Sequence, residues 1–273
     1  MNKIDFLSIS VLVLILISFV ATFLVSEETS IRLWSLLTNI GDERVYIFIS
    51  VLLYFLYPNI GVPILLVILF SGMINFYIKW FFNLPRPPNP KILESGPSFP
   101  SNHAQSSATF WSMINFKYRS LYSIILGIVY TFFISYSRIA LNVHYPIDVI
   151  GGAIIGFVIV LLFIHIPKNN ERKLFDNYTI LFFLIFIFSL IGHLIYKDDN
   201  FASTSFFSLG FGILHIFVKD KKGSQKINFL GIVIWIIVVL PLFYLKGINL
   251  YLQYFLLGIL APLIKYLIHF LFR

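Results

Sequence analysis

The chain contains no cysteine, which excludes disulfide staples and thiolate metal sites. Charge is nearly as scarce. Asp, Glu, Lys and Arg make up 12% of the 273 residues, against about 25% in ordinary soluble domains. So little charge cannot cover a water-exposed surface, and with 59% hydrophobic residues the main solvent reads as lipid. Also missing is any long unbroken basic block. The formal charge of +8 comes from lysines and arginines in short loops between apolar runs, a pattern that fits membrane orientation and not nucleic-acid binding.

What is present is a series of about ten apolar runs, near 4–25, 44–57, 60–80, 101–116, 119–137, 145–166, 177–195, 203–218, 228–245 and 249–270. Each is judged against the roughly 20 residues that cross the hydrocarbon; the second, fourth and eighth are short. The first follows Lys3, lacks a small-residue cleavage site and is followed by further runs, so it reads as a retained helix and not a signal peptide. Pro58-Asn59 reads as a tight hairpin between the second and third runs. The expectation is an all-α, polytopic membrane protein.

Lys3, Lys117, Arg119, Lys168, Arg172, Lys173, Lys219, Lys221, Lys222, Lys226 and Arg273 fall on one side; Arg32, Arg44, Lys91, Lys197 and Lys246, with Lys79, Arg86 and Arg138, fall on the other. The basic excess predicts cytoplasmic termini. The last four runs carry only the solitary His193, His215 and His269, which read as core or interface histidines. No internal repeat is visible, whereas a ten-span transporter would often have one.

Between Lys79 and Asp148, costly polar residues cluster at the ends of apolar runs, where ionisable groups are commonly functional. Lys79 and Arg86 stand seven apart, with Pro85 and Pro87 stiffening the segment around the arginine. Alone they also suit a snorkelling lysine and an interface arginine. Together they suit an anion, since Arg grips phosphate bidentately and Lys adds a compact charge. In GPSFPSNHAQSS, Ser101 is well placed as an N-cap, and Ser101, Asn102 and His103 sit where a helix start offers free N–H groups to an anion. In SRIALNVHYPID, Arg138 closes one run, and His144 and Asp148 are four apart, on one helical face if the turn at Tyr145-Pro146 is accommodated in the first turn of the helix. An aspartate there fixes the imidazole tautomer, although a purely structural His–Asp pair has the same spacing. All these residues are expected on one face of the membrane, the extracytoplasmic one.

The same residues resemble the three ordered signatures of the type 2 phosphatidic acid phosphatase (PAP2) superfamily. Lys79, Arg86 and Pro87 match the first, Ser101 and His103 the second, and Ser137, Arg138, His144 and Asp148 the third; Asn102 stands where glycine is usual. The resemblance covers about the first 167 residues and implies a six-helix catalytic core at 1–167, with about four accessory spans at 168–273. The soluble vanadium-dependent haloperoxidases share that core, but the hydrophobicity here excludes their branch. The resemblance implies a phosphatase of lipid phosphates or pyrophosphates in which His144 is the nucleophile, Asp148 orients it and His103 is the general acid and base. Lys79, Arg86, Ser101, Asn102 and Arg138 would bind phosphate. No Asp/Glu/His cluster has metal-ligand spacing, so neither metal nor other cofactor is expected.

A membrane lipid phosphate is the expected partner, in the cell (inner) membrane. A homodimer is one role open to the extra spans. A lipid-linked phosphotransferase using the same phosphohistidine is the alternative; a channel or transporter has less need of these residues.

Overall fold

The structure, a computed structural model, describes residues 3–165, 178–218, 225–244 and 249–271. Among these residues it is helical and free of strands. The helices are α1 (Lys3–Ala21), α2 (Glu27–Thr38), α3 (Glu43–Leu56), α4 (Pro58–Phe82), α5 (Asn102–Tyr118), α6 (Leu121–Ala140), α7 (Pro146–His165), α8 (Tyr178–Tyr196), α9 (Asp199–Val218), α10 (Gln225–Tyr244) and α11 (Leu250–Leu271), with a 3₁₀ turn at Asn39–Gly41. Six of them, α4, α6, α7, α8, α9 and α11, are long and apolar enough to cross a membrane. The protein is therefore an all-α, polytopic membrane protein.

Each expected apolar run coincides with a helix, but length does not make every one a crossing: α3 has 14 residues and α5 has 17. Helix α2 and the 3₁₀ turn were not expected. EETSIRLWSLLT is no apolar run; it is helical because Ser26 accepts from Thr29 N and two glutamates occupy the first turn. Lys168, Arg172, Lys173, Lys219, Lys221, Lys222, Lys246 and Arg273, the run ends at 166, 177 and 245, and the boundary at 167/168 lie outside the described residues. So do the side chains of Lys3 and Lys226.

The chain packs as two compact units, Met1–Ile47 with Ile74–Ile166, and Phe48–Met73 with Pro167–Arg273. In the first, Trp34, Phe133, Ile134, Leu141 and Val143 form a buried apolar cluster that anchors the segment following α6. Helix α7 lies directly on α5. A Cβ on Gly152 would stand 2.5 Å from the Ser101 carbonyl oxygen, and one on Gly156 2.4 Å from that of Gln105. Only glycine permits so close an approach. Asn75 near the end of α4 donates to Gln105 Oε1 at 2.8 Å and so ties a third helix to the same place.

In the second unit, Pro58-Asn59 is not a loop: it begins α4, and Tyr57 alone interrupts the helices. Proline suits a first helical position because its missing N–H is not needed there. That missing N–H deprives the Tyr54 carbonyl of its helical donor, and Lys265 Nζ supplies one at 2.7 Å, lying also 4.2 Å from the Tyr54 ring centroid. The histidines of this unit have structural contacts: His193 with Asp198 O and Tyr251 Oη (both 3.0 Å), His269 with Lys265 O (2.8 Å), and His215 against the rings of Tyr54, Phe182 and Phe211.

Candidate active site

The polar residues of the first unit meet where the 83–101 segment folds back onto the α6–α7 connection. Asn142 turns the chain after α6 with a left-handed φ of 54°, a conformation that asparagine tolerates well. Its Nδ2 donates to the carbonyls of Pro88 (2.7 Å) and Asn89 (3.1 Å), and Lys91 N donates to Leu141 O at 2.9 Å. Ser101 N donates to the Asp148 carbonyl at 3.0 Å. These bonds stitch together segments about fifty residues apart in sequence.

His144 precedes α7, which opens at Pro146, and Asp148 sits in the first turn of that helix. The His144 Nδ1 atom is 3.3 Å from Asp148 Oδ2. The same carboxylate oxygen accepts from Tyr145 N at 2.8 Å and from the Ser98 hydroxyl in a short contact. On the opposite side of the ring, Nε2 lies 3.1 Å from Arg86 Nη1. A guanidinium has no acceptor, so Nε2 must present its lone pair, which places the proton on Nδ1 facing Asp148. Burial pushes the His144 imidazole down to about 4. The bond to Asp148 works against that shift, and the charges of Lys79, Arg86 and Arg138 reinforce it. The ring is neutral at physiological pH, with its proton directed at Asp148 and its lone pair at Arg86.

Arg86 is fixed by the carbonyls of Ser95 and Gly96 (both 3.0 Å) and Val143 (2.9 Å). Lys79 Nζ donates to Pro97 O at 2.6 Å and Ser98 O at 3.2 Å. Buried Arg138 donates to Thr38 Oγ1 at 3.0 Å and, in a short ion pair, to Glu94 Oε1. Glu94 Oε2 stands 3.8 Å from Arg86 Nη2, so one carboxylate links two of the expected phosphate-binding cations.

Ser101 occupies the N-cap of α5 by its backbone, but its hydroxyl makes no capping bond and has no partner. Its N–H is bonded to Asp148 O and its carbonyl receives Gln105 N, while the hydroxyl is buried. Asn102 Nδ2 donates to Glu43 Oε2 at 2.9 Å. His103 lies within electrostatic range of His144, Arg138, Asp42 and Glu94.

Thr38, Glu43, Glu94 and Ser98 were not anticipated. A signal existed for Glu94, the only acidic residue between Lys79 and Ser101, and for Ser98 inside the serine- and proline-rich run before α5. None pointed to Thr38 or Glu43. Among the described residues, no three His, Asp or Glu side chains are grouped so as to hold a metal ion.

The profile of the PAP2 superfamily matches residues 60–172 of this chain, the stretch that holds all three polar clusters. Undecaprenyl-diphosphatase of Sulfolobus acidocaldarius is 32% identical over 148 residues, half of this chain and 70% of that protein. The chain belongs to the PAP2 superfamily. Two further relatives are phosphatidylglycerophosphatase B of Bacillus subtilis, 29% identical over 123 residues (41% of this chain), and glucose-6-phosphatase 3 of Mus musculus, 25% identical over 176 residues (53% of this chain). This PAP2 chain spans 59% and 51% of their respective lengths. No solved structure matches it significantly.

Proposed function

We propose that the protein is an integral membrane phosphatase that hydrolyses a lipid phosphate or pyrophosphate through a phosphohistidine on His144, without a metal. The observation that carries this reading is the two-sided environment of the imidazole, Nδ1 toward Asp148 and Nε2 toward Arg86. His144 Nε2 attacks phosphorus in line, and the bond from phosphorus to the leaving oxygen breaks as the N–P bond forms. Burial and the charge of Arg138 push the His103 imidazole down in the empty site, so it takes up its proton as the negative charge of the substrate enters. It gives that proton to the departing oxygen, and recovers one from the water that cleaves the N–P bond and frees phosphate and neutral His144. Lys79, Arg86, Arg138, the Ser101 hydroxyl and the backbone at Asn102 hold the phosphoryl oxygens. Fixed donors and cations are thus assigned the work that metals do in other phosphatases.

Residues 1–167 are proposed as the catalytic core and 168–273 as accessory spans that shape a lipid entrance, support a homodimer or enlarge the fold. The basic loops favour cytoplasmic termini and an extracytoplasmic site in the cell (inner) membrane, where a lipid keeps its tail in the bilayer while presenting its phosphate. The relatives' names cover an undecaprenyl diphosphate, a phosphatidylglycerophosphate and glucose 6-phosphate, which supports the phosphoryl chemistry more strongly than any one tail.

The test is phosphate release from a panel of lipid phosphates by the purified protein in detergent with EDTA. Wild type is expected to turn over at least one of them, and His144→Ala none while remaining folded. Loss of activity in EDTA that added metal restores would overturn metal independence, and near-normal turnover by His144→Ala would overturn the nucleophile.

A further inference from the structure

Glu94 occupies a position that the proposed chemistry does not use. Its Oε1 accepts from Arg138 Nη2 and its Oε2 lies 3.8 Å from Arg86 Nη2, so the carboxylate sits between the two guanidiniums assigned to the phosphoryl group. Carboxylate and phosphoryl oxygens are the two anions that a guanidinium fork matches best. Arg86 and Arg138 repel one another in partly buried surroundings, so a site without substrate needs an anion there. Burial alone would raise the Glu94 carboxyl, but Arg138, His103 and Arg86 together hold it below the ordinary carboxylate range. The exchangeable partner is also evident: the Arg138 side chain is 1% exposed and helix-borne, whereas that of Glu94 is 26% exposed and on a loop.

We propose that Glu94 is an internal competitor for the phosphoryl subsite, holding Arg86 and Arg138 in the empty enzyme and leaving them when a phosphoryl group enters. This rests on the phosphatase reading above. Exchange has a definite signature. If Glu94 must vacate before any phosphoryl ligand binds, it weakens all of them by one common factor, and inorganic phosphate leaves more readily as product.

The test is competitive inhibition of aryl phosphate hydrolysis by orthovanadate and by inorganic phosphate, for wild type and Glu94→Gln in detergent. Both inhibition constants are expected to fall by the same factor, about tenfold, in keeping with the coupling of close charge pairs. An unchanged or higher constant would mean that Glu94 buttresses the arginines, and overturns the inference. A fall that differs between the two anions overturns it as well, because a carboxylate that stays in place acts on each ligand according to its charge. Should Glu94→Gln not fold, carbodiimide labelling of wild type decides. Vanadate is expected to increase labelling of Glu94, and no increase overturns the exchange. If vanadate binds neither protein, the phosphatase reading falls with the inference; if it binds wild type but the variant's constants do not fall, the inference falls alone.

Discussion

Arg86 Nη1 stands 3.1 Å from His144 Nε2 while the same nitrogen donates to the Val143 carbonyl at 2.9 Å. The guanidinium is therefore registered on the backbone residue beside the proposed nucleophile, and any phosphoryl group it grips is delivered at a fixed position relative to the imidazole. Lysine cannot hold Val143, Ser95 and Gly96 at once. Arg86→Lys is expected to lower kcat/KM by about 10²-fold with the fold intact, the scale for losing one preorganised donor. Steady-state kinetics beside a thermal unfolding curve would check it; a loss below threefold would remove Arg86 from the phosphoryl site.

The protonation of His144 gives a pH prediction. Its value of about 4 in the folded protein lies below the ordinary 6.5, so the stability gained from the neutral ring is complete above about 6.5 and is lost as pH falls from there through about 4. In ¹⁵N-histidine NMR, the signals absent from His144→Ala should stay constant from pH 8 to about 5 and titrate near 4. A midpoint at 6.5 would show that the cations and burial do not act on this ring.

The assignment of His103 to the leaving group predicts a dependence on that group. His103→Ala should slow alkyl phosphates by about 10²-fold or more and activated aryl phosphates far less, since a good leaving oxygen needs no proton. Equal losses across a leaving-group series would refute the general-acid role.

Gly152 sets the spacing between α7 and α5. Gly152→Ala places a methyl 2.5 Å from the Ser101 carbonyl, backbone that cannot rotate away. A destabilisation of about 1–3 kcal/mol is expected from overpacking, with an added loss of kcat because Ser101 and His103 move with α5. Thermal unfolding in detergent and kcat for one aryl phosphate are the readouts.

Much of the site was legible because charge at the end of an apolar run is conspicuous; the separation of four did bring His144 to Asp148, but through the turn before α7 and not along one helical face. The parts that were hidden depend on tertiary closure. Ser98 reaches Asp148 and Glu94 reaches Arg138 across about fifty residues, through a segment whose course follows from the Asn142 and Lys91 bonds and from no periodicity. Glu43 opens α3, and no spacing in the sequence pairs it with Asn102, nearly sixty residues away. The fold was legible where runs were apolar; it failed at α2, whose helix rests on capping and amphipathicity, and at Pro58, which starts a helix where a turn was read.

Asp148, Gly152 and Gly156 follow one another at intervals of four along α7, so they share a single face. One end of that face orients the proposed nucleophile, and the rest is worn flush against the main chain of α5. The face works as a gauge block: its thickness is the absence of side chains, and substitution there can only increase it. Sequence change that reshapes the site therefore has to accumulate elsewhere, because any side chain added on this strip of α7 meets the main chain of α5.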